Sequence, residues 1–288
     1  MKLGVVIPPP EIGSDPADVA RFATTAEELG YDHLIAYDHV LGANTASRPD
    51  WRGPYTAQSM FHEPFELFGY LAGLTKTIEL VTAVIILPQR QTALVAKQAA
   101  CVDVLSRGRL RLGIGTGWNT VEYDSLNEDF SNRGRRSEEQ IDVLRTLWAN
   151  ETITFNGEWH QIEDAGINPL PEAREIPIWL GGMAPQVIDR VGRIADGWFP
   201  FLNPNLGEQL RDVHRSAEKV GRDPTTIGVE CIIPLSTGDD DASDQLENLQ
   251  DIGVTHAAVV TMNSGLADAQ QHIDAIKRYR DVVGDIVS

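Results

Sequence analysis

Short apolar runs alternate along the chain with longer segments in which apolar residues recur every three or four positions. The first pattern is typical of buried strands and the second of amphipathic helices. The predicted strands are Leu3–Ile7, His33–Tyr37, Ile78–Val84, Arg109–Ile114, Pro177–Leu180, Gly197–Pro200, Ile227–Ile233 and Ala257–Val260. The predicted helices are Pro16–Leu29, Pro64–Thr75, Thr92–Leu105, Arg135–Ala149, Pro185–Ala195, Leu206–Val220, Ala242–Ile252 and Leu266–Val283. Eight alternating units predict an α/β fold, a single (β/α)8 TIM barrel over residues 1–288.

The helix predicted from Arg135 shows the expected one-sided pattern. Its large apolar residues fall on one face, and they are Ile141, Leu144, Leu147 and Trp148. A helix that covers a barrel buries one such face.

Two connections are too long to be plain turns, one from Val40 to Phe61 after the second strand and one from Glu151 to Ile176 after the fourth. The second contains Asn156-Gly157, a pair typical of a hairpin turn, so a β-hairpin is predicted there. In a barrel, active sites form at the carboxyl ends of the strands, and long loops are usually functional. We expect these loops to cover that end.

Composition and charge narrow the class of partner. The chain has 42% hydrophobic and 23% charged residues, as globular proteins do. Its formal net charge of −18 argues against nucleic acid and anionic membranes, because both bind clustered Lys and Arg. The apolar run Leu3–Ile7 is too short for a signal peptide or a membrane span. A small-molecule substrate is the expected partner.

The number and separation of the cysteines indicate a reducing compartment. Cys101 and Cys231 are the only two cysteines and lie far apart in the chain. We predict buried free thiols, which fit a reducing cytoplasm.

Glycines occupy alternate positions, 113, 115 and 117, where the fourth strand ends, and Trp118 follows them. Without side chains on that face, a flat ligand or a phosphate could approach the backbone. The same glycines could serve packing or a bulge, and the residues alone leave both interpretations open. A Rossmann fingerprint needs Gly-x-Gly-x-x-Gly opening a helix, whereas an irregular stretch from Asn119 to Gly134 is predicted here.

Two further strand ends carry candidate chemistry. Asp38 and His39 follow the second strand, where the carboxylate could orient an imidazole that titrates near neutral pH. The alternative is that Asp38 caps the next segment and His39 is only partly buried.

Gly181-Gly182 precede a helix with Pro185 in its first turn, a pattern that can present amides to an anion or form a plain turn.

Metal and hydrolase motifs are missing from the sequence. It has no His-Glu-x-x-His, no Cys-x-x-Cys and no Gly-x-Ser-x-Gly. The seven histidines are scattered, so no metal site is predicted.

Taken together, these segments resemble the luciferase-like flavin and deazaflavin oxidoreductase family, from Met1 to about Tyr279. The matching segments are Ala26–Asp32, Tyr37–Val40, Leu80–Val84, Leu105–Trp118, Arg133–Trp148, Pro177–Gly182 and Ala195–Trp198. Their order and spacing carry the resemblance. The subgroup that the chain most resembles uses coenzyme F420, an 8-hydroxy-5-deazaflavin.

The resemblance implies a cofactor ring at the carboxyl ends of the strands, with His39 as the catalytic residue beside it. A non-prolyl cis peptide behind the ring maps to Ala83-Val84. The implied cofactor-binding residues are Asp38, Thr82, Ala83, Val84, Gly115, Gly117, Gly181, Gly182 and Met183. Trp118 and Asn119 are expected to face the substrate. Some family members carry an acid at this point of the chain, so oxidation of a sugar phosphate by such an acid is not expected here.

The predicted activity is hydride transfer between F420 and a small organic substrate, carried out by a homodimer. An FMN-dependent monooxygenase in the same barrel is the alternative, and a member that only binds flavin is a third possibility. F420 has a phosphate and an acidic tail, which a net charge of −18 does not attract. Local donors must therefore bind it, namely amides near Gly181 and Gly182 for the phosphate and Arg48 and Arg52 for the tail.

Overall fold

The computed structural model describes residues 1–235 and 239–284, with side chains at all of these positions except 239 and 240. The strands are β1 Lys2–Val6, β2 His33–Ala36, β3 Glu79–Thr82, β4 Ile85–Ile86, β5 Leu110–Gly115, β6 Ile153–Asn156, β7 Gln161–Ala165, β8 Ile178–Gly181, β9 Gly197–Phe199, β10 Gly228–Pro234 and β11 His256–Val260. The helices are α1 Pro9–Ile12, α2 Pro16–Glu28, α3 Pro64–Ala72, α4 Thr92–Ser106, α5 Thr120–Ser125, α6 Arg133–Ala149, α7 Pro185–Ile194, α8 Leu206–Lys219, α9 Asp239–Ile252 and α10 Ala269–Val283.

Eight of the strands form a closed parallel barrel in the order β1, β2, β3, β5, β8, β9, β10, β11. The ring closes because β11 pairs with β1, Leu3 opposite Ala257, and the pairing continues through β3 and β5, Leu80 opposite Leu110. The predicted TIM barrel is confirmed, and each predicted strand and helix overlaps an observed one. Below, the upper end of the barrel is the end at which these strands finish, and the lower end is the one at which they begin.

Several boundaries differ from the prediction for local reasons. The third strand ends at Thr82, and the chain resumes as β4, which pairs with β5. The last helix begins at Ala269 rather than Leu266, because the Asp268 side chain accepts the Gln271 amide and caps it. The stretch predicted as irregular contains α5, whose cap is Asn119.

Apolar side chains fill the barrel and the layer between strands and helices. The inner layer consists of Val6, Ile35, Val81, Trp179, Phe199 and Ala258. In α6 the predicted face is buried, with Trp148 fully enclosed and its indole N–H donating to Ala96 O at 3.0 Å. Both cysteines are free, Cys231 buried and Cys101 half-buried. Burial raises the pKa of the Cys231 thiol to about 12, so it is unreactive.

A buried ion cluster occupies the lower end. His33 Nε2 lies 2.5 Å from Glu230 Oε1, and neither side chain is exposed. Arg111 Nη1 donates to Glu230 Oε2 at 2.5 Å, and its guanidinium lies 4.4 Å from the ring centre of Trp179. Burial acts to raise the pKa of the Glu230 carboxyl, but His33 and Arg111 outweigh it and lower that pKa to about 2.

The two long connections have different structures. The first, residues 37–63, has no strand or helix, whereas the second forms the predicted hairpin of antiparallel β6 and β7. The Gly157 amide donates to His160 O at 2.8 Å in its turn. Glu139 of α6 fixes the turn, because its Oε1 accepts the His160 amide and lies 2.7 Å from His160 Nδ1.

None of the helices in residues 1–235 and 239–284 is both long and apolar enough to cross a membrane.

Candidate active site

Half-buried apolar side chains form the floor of the upper end. They are Tyr37, Ala83, Val84, Ile232, Val260 and Met262, and they rest on the inner layer of the barrel. A cavity of about 740 Å³ adjoins them, and its lining includes Tyr37, Tyr55, Val260 and Met262. Sites for small molecules have this size and this mostly apolar character.

The peptide bond between Ala83 and Val84 is cis, as predicted. It lies between β3 and β4, at the floor. The Val84 side chain packs against the neighbouring strands: a Cβ atom at Gly115 would lie 2.4 Å from Val84 Cγ2, and one at Gly181 would lie 3.0 Å from Val84 Cγ1.

The glycines that end β5 thus make room for protein rather than for a ligand. A Cβ at Gly113 would lie 1.9 Å from Thr82 O, and one at Gly117 would lie 2.7 Å from Ile86 Cγ2. Val84 covers Gly115 in the same way. Of the two interpretations left open, the structure supports packing for this face. Any cofactor contact by Gly115 and Gly117 must come from their backbone.

Thr82 does not offer its side chain to a cofactor. Its hydroxyl donates to Gly113 O at 2.8 Å and accepts the Gly113 amide at 2.9 Å, and the residue is fully buried. Both bonding functions of this hydroxyl join β3 to β5, and contact of Thr82 with a cofactor stays a prediction.

Asp38 is paired with Arg90 and not with His39. Arg90 Nη2 donates to Asp38 Oδ1 at 2.7 Å, and the Ile86 amide donates to Asp38 Oδ2 at 3.0 Å. Arg90 also donates to Glu63 Oε1 at 2.7 Å, and the Glu63 carboxylate caps α3. The prediction that the Asp38 carboxylate orients His39 is wrong, because this group joins the ends of β2, β4 and α3. Contact of Asp38 with a cofactor stays a prediction.

His39 lies three residues beyond β2, among aromatic rings. The ring centres of Tyr55 and Phe61 are 4.7 and 4.9 Å from that of His39, and the centre of Trp118 is 6.2 Å away. The His39 side chain is 15% exposed, and its Nδ1 lies 3.5 Å from Glu122 Oε1. Its Nε2 has no hydrogen-bond partner among the described residues and is not a buried atom. Tyr55, whose ring lies against His39, also lines the cavity.

Glu122 is the site residue that sequence reasoning missed. Its side chain is 2% exposed, and Oε1 accepts the amides of Val40 at 2.9 Å and Leu41 at 3.2 Å. Burial acts to raise the pKa of this carboxyl, but the hydrogen bonds from His39, Leu41 and Val40 outweigh it and hold that pKa below its usual range. The spacing Asn119-x-x-Glu122 resembles a capping box and could have revealed α5.

Of the two residues expected to face the substrate, the structure exposes one. The Trp118 side chain is 45% exposed, and its ring centre is 5.7 Å from that of Trp51 in the first long loop. Asn119 is buried: its Oδ1 accepts the Val121 amide at 3.1 Å and its Nδ2 donates to Leu41 O at 3.3 Å. The Asn119 side chain thus caps α5 and anchors the loop, and its contact with a substrate stays a prediction.

The turn between β8 and α7 retains free donors, although not all those predicted. The Gly182 amide donates to Phe199 O at 3.3 Å, so it is not available. The Met183 and Ala184 amides have no acceptor among the described residues, and α7 has no side-chain cap. Gly182 has φ +128°, which glycine adopts readily. An anion at this turn would meet Met183, Ala184 and the amino-terminal end of α7.

The chain is similar in sequence to two oxidoreductases, one F420-dependent and one FMNH2-dependent. The chain is 29% identical over 252 residues to an F420-dependent hydroxymycolic acid dehydrogenase of Mycobacterium tuberculosis, covering 86% of this chain and 66% of the relative. It is 29% identical over 196 residues to an FMNH2-dependent dimethylsulfone monooxygenase of Pseudomonas fluorescens, covering 66% of this chain and 53% of the relative.

The fold also matches solved structures. An F420-dependent secondary alcohol dehydrogenase, in complex with an F420-acetone adduct, superimposes with a TM-score of 0.80 at 18% identity and covers 98% of both chains. The sequence model of the luciferase-like monooxygenases matches residues 1–281. The chain therefore belongs to the luciferase-like monooxygenase family of oxidoreductases.

Proposed function

We propose that this protein transfers a hydride between coenzyme F420 and a small organic substrate, with His39 as the catalytic residue. One observation carries the proposal: His39 stands at the upper end of the barrel with Nδ1 facing a buried carboxylate and Nε2 unbonded. In a barrel enzyme such a residue at the end of a strand is placed for catalysis.

The residues present fit a flat cofactor with a phosphate. The half-buried apolar floor around Ala83 and Val84 suits one face of a planar ring, and the free amides of Met183 and Ala184 suit a phosphate. Bound there, F420 would supply a two-electron hydride carrier. These contacts are local, as a net charge of −18 requires for an anionic ligand.

A residue of the chain would accept or donate the proton that accompanies the hydride. When an alcohol is oxidised, the hydride leaves carbon and a proton leaves oxygen, and His39 Nε2 would accept that proton. In the reverse direction the same atom would donate it. The rings of Tyr55, Phe61 and Trp118 enclose His39 and limit the access of water.

The FMN-dependent monooxygenase is a second candidate, favoured by the 29% identity to the dimethylsulfone enzyme. Direct binding distinguishes the two. We expect purified protein to quench F420 fluorescence on titration and to bind FMN much more weakly. Stoichiometric, tight FMN binding without F420 binding would contradict the F420 proposal.

We also propose a homodimer in the cytoplasm. Large apolar side chains on α3, just after it and on α4 remain exposed in the single chain, and they are Tyr70, Leu74, Leu94 and Leu105. A second copy of the chain could cover them. The molar mass in solution tests this proposal, and a monomer at micromolar concentration would contradict it.

A further inference from the structure

We infer that Glu122 is a positioning residue that holds His39 with its proton on Nδ1 and leaves the lone pair of Nε2 directed at the substrate. The inference rests on the proposed function only for its catalytic consequence. The juxtaposition of Glu122 and His39 does not depend on which cofactor binds.

The imidazole of His39 is surrounded mainly by aromatic rings. On its ring faces and edges lie Tyr55, Phe61 and Trp118, of which only the Tyr55 phenol titrates. The carboxylate next to it in sequence, Asp38, is bound to Arg90 instead. Glu122 Oε1 is thus the charged atom that faces Nδ1, at 3.5 Å.

An ionised carboxylate only accepts hydrogen bonds, so Glu122 Oε1 at 3.5 Å favours the tautomer in which Nδ1 carries the proton. In a neutral imidazole the other nitrogen is then the acceptor, and the partner of one nitrogen decides the state of the other. Nε2, which has no partner among the described residues, becomes a base that can take a proton from a substrate hydroxyl. Without Glu122 the ring would be free to exchange its proton between both nitrogens and to rotate.

Glu122 is itself held rigidly enough to do this. The oxygen that faces His39 also accepts the Val40 and Leu41 amides, which directly follow His39 in the chain. The other oxygen lies 3.5 Å from Gln89 Nε2. One carboxylate therefore fixes both the imidazole and the backbone beside it, and its lowered pKa keeps it ionised at neutral pH.

The test observes the tautomer directly, in protein without cofactor. Protein with 15N-labelled histidine is examined by long-range 1H–15N correlation at a pH where the imidazoles are neutral, and a His39→Gln variant identifies the His39 signals among the seven histidines. We expect the Nδ1–H tautomer in the wild type. A dominant Nε2–H form in the wild type would overturn the inference without any further variant.

Two variants of Glu122 separate the effect of its negative charge from the effect of its acceptor oxygen. Glu122→Ala should move His39 to a mixture of tautomers, whereas Glu122→Gln, which keeps an acceptor oxygen, should retain most of the Nδ1–H form. Glu139→Gln is the matched control, because Glu139 likewise accepts backbone amides and faces Nδ1 of a different histidine, His160. It should leave the His39 signals unchanged. An unaltered His39 tautomer in folded Glu122→Ala would overturn the inference.

Turnover with F420 supplies the catalytic readout. Glu122→Ala should lower kcat by about 10²-fold, the lower end of what acid–base catalysis contributes, with a smaller loss in Glu122→Gln. A tautomer change without any F420-dependent turnover in the wild type would contradict the proposed function and leave the role of Glu122 intact. A tautomer change with unchanged kcat would overturn the catalytic part of the inference.

Discussion

Two histidine–glutamate pairs stand at opposite ends of β2, and they differ in almost every physical respect. At the lower end His33 and Glu230 meet at 2.5 Å with no exposure, and Arg111 completes the cluster. At the upper end His39 and Glu122 are 3.5 Å apart and the histidine is 15% exposed. Each histidine has one unbonded nitrogen, but that of His33 is buried and that of His39 is not.

The difference shows how one barrel separates stability from chemistry. The lower pair is closed off from solvent, since neither His33 nor Glu230 is exposed and the unbonded His33 Nδ1 is itself buried, so the pair can hold strands together but cannot reach a ligand. The upper pair leaves one imidazole nitrogen free and not buried, and Tyr55, whose ring lies against His39, lines the cavity of about 740 Å³. This division agrees with the general behaviour of barrels, in which the lower end supports the fold and the upper end carries the site.

Breaking the lower pair should produce the largest effect. Glu230→Gln removes a buried charge and leaves Arg111 and His33 without their partner, so we expect the free energy of unfolding to fall by about 3–5 kcal/mol. Denaturant unfolding measures it. Lys2→Ala, which removes the exposed ion pair with Glu79, should cost only about 0–1 kcal/mol. If Glu230→Gln lowered the free energy of unfolding by a similarly small amount, the lower pair would not be the stabilising one.

Acid should weaken the lower end first. Burial and the nearby Arg111 lower the pKa of His256 from 6.5 to about 3, so the unfolded chain binds this proton more readily than the folded one. The contribution of His256 to the free energy of unfolding is therefore fully present above pH 6.5, and it is lost as the pH falls from 6.5 towards 3. Glu230, with its pKa lowered from 4.5 to about 2, adds a further loss between those values.

The measurement is the free energy of unfolding as a function of pH. His256→Asn should flatten the curve between neutral pH and about pH 4.5, because the unfolded-state histidine no longer binds a proton there. The same slope in the variant and the wild type would show that His256 does not cause the acid sensitivity.

Removing the upper histidine should act on turnover instead of stability. We expect His39→Ala to lower F420-dependent turnover by about 10²-fold or more, because the proton at the substrate oxygen loses its acceptor. Its denaturation midpoint should move little in comparison with that of Glu230→Gln. His160→Gln, a change in the hairpin, is the control and should leave turnover unchanged. Full activity in His39→Ala would reduce His39 to a packing residue.

A glycine at the upper end and a glycine on a covering helix allow a test of packing. Gly115→Ala would bring a Cβ to within 2.4 Å of Val84 Cγ2, and overpacking of this kind costs about 1–3 kcal/mol. Val84→Ala in the same chain should recover most of that loss. Gly69→Ala on α3, where a Cβ meets nothing within 4 Å, should be neutral or stabilising. No recovery in the double variant would show that Val84 is not what limits the space at Gly115.

The sequence predicted the fold well because the barrel depends on patterns that are local. Each strand is a short apolar run and each long helix has a buried face, so the alternation was visible without knowledge of contacts. The motif order also placed the cis bond between Ala83 and Val84 correctly. Element boundaries were less certain, since they depend on individual caps such as Asp268.

The site was predicted less well because its polar contacts join residues that are distant in sequence. Asp38 precedes His39 in the chain but binds Arg90, which is 52 residues away. The carboxylate that does face His39 comes from Glu122, and nothing in the spacing of Asp38 and His39 points to it. Glycines after a strand could not be assigned to ligand or packing until the position of Val84 was known.

The smallest expected effect concerns the cations at the upper end. Arg111 at the lower end is buried against Glu230, whereas Arg48 and Arg52 of the first long loop are exposed, and Arg52 Nη1 donates to the loop carbonyls of Pro49 and Trp51. Exposed charge contacts contribute about 0–1 kcal/mol each and are screened by salt.

Arg48→Ala combined with Arg52→Ala should therefore weaken binding of F420 with its acidic tail by only a few-fold, and added salt should reduce the difference between variant and wild type. A tail-less analogue should bind both proteins equally. Arg211→Ala combined with Arg215→Ala on α8 removes the same charge elsewhere and serves as the control. Fluorescence titration of both ligands measures the affinities, and equal losses for tailed and tail-less forms would show that the loop arginines do not contact the tail.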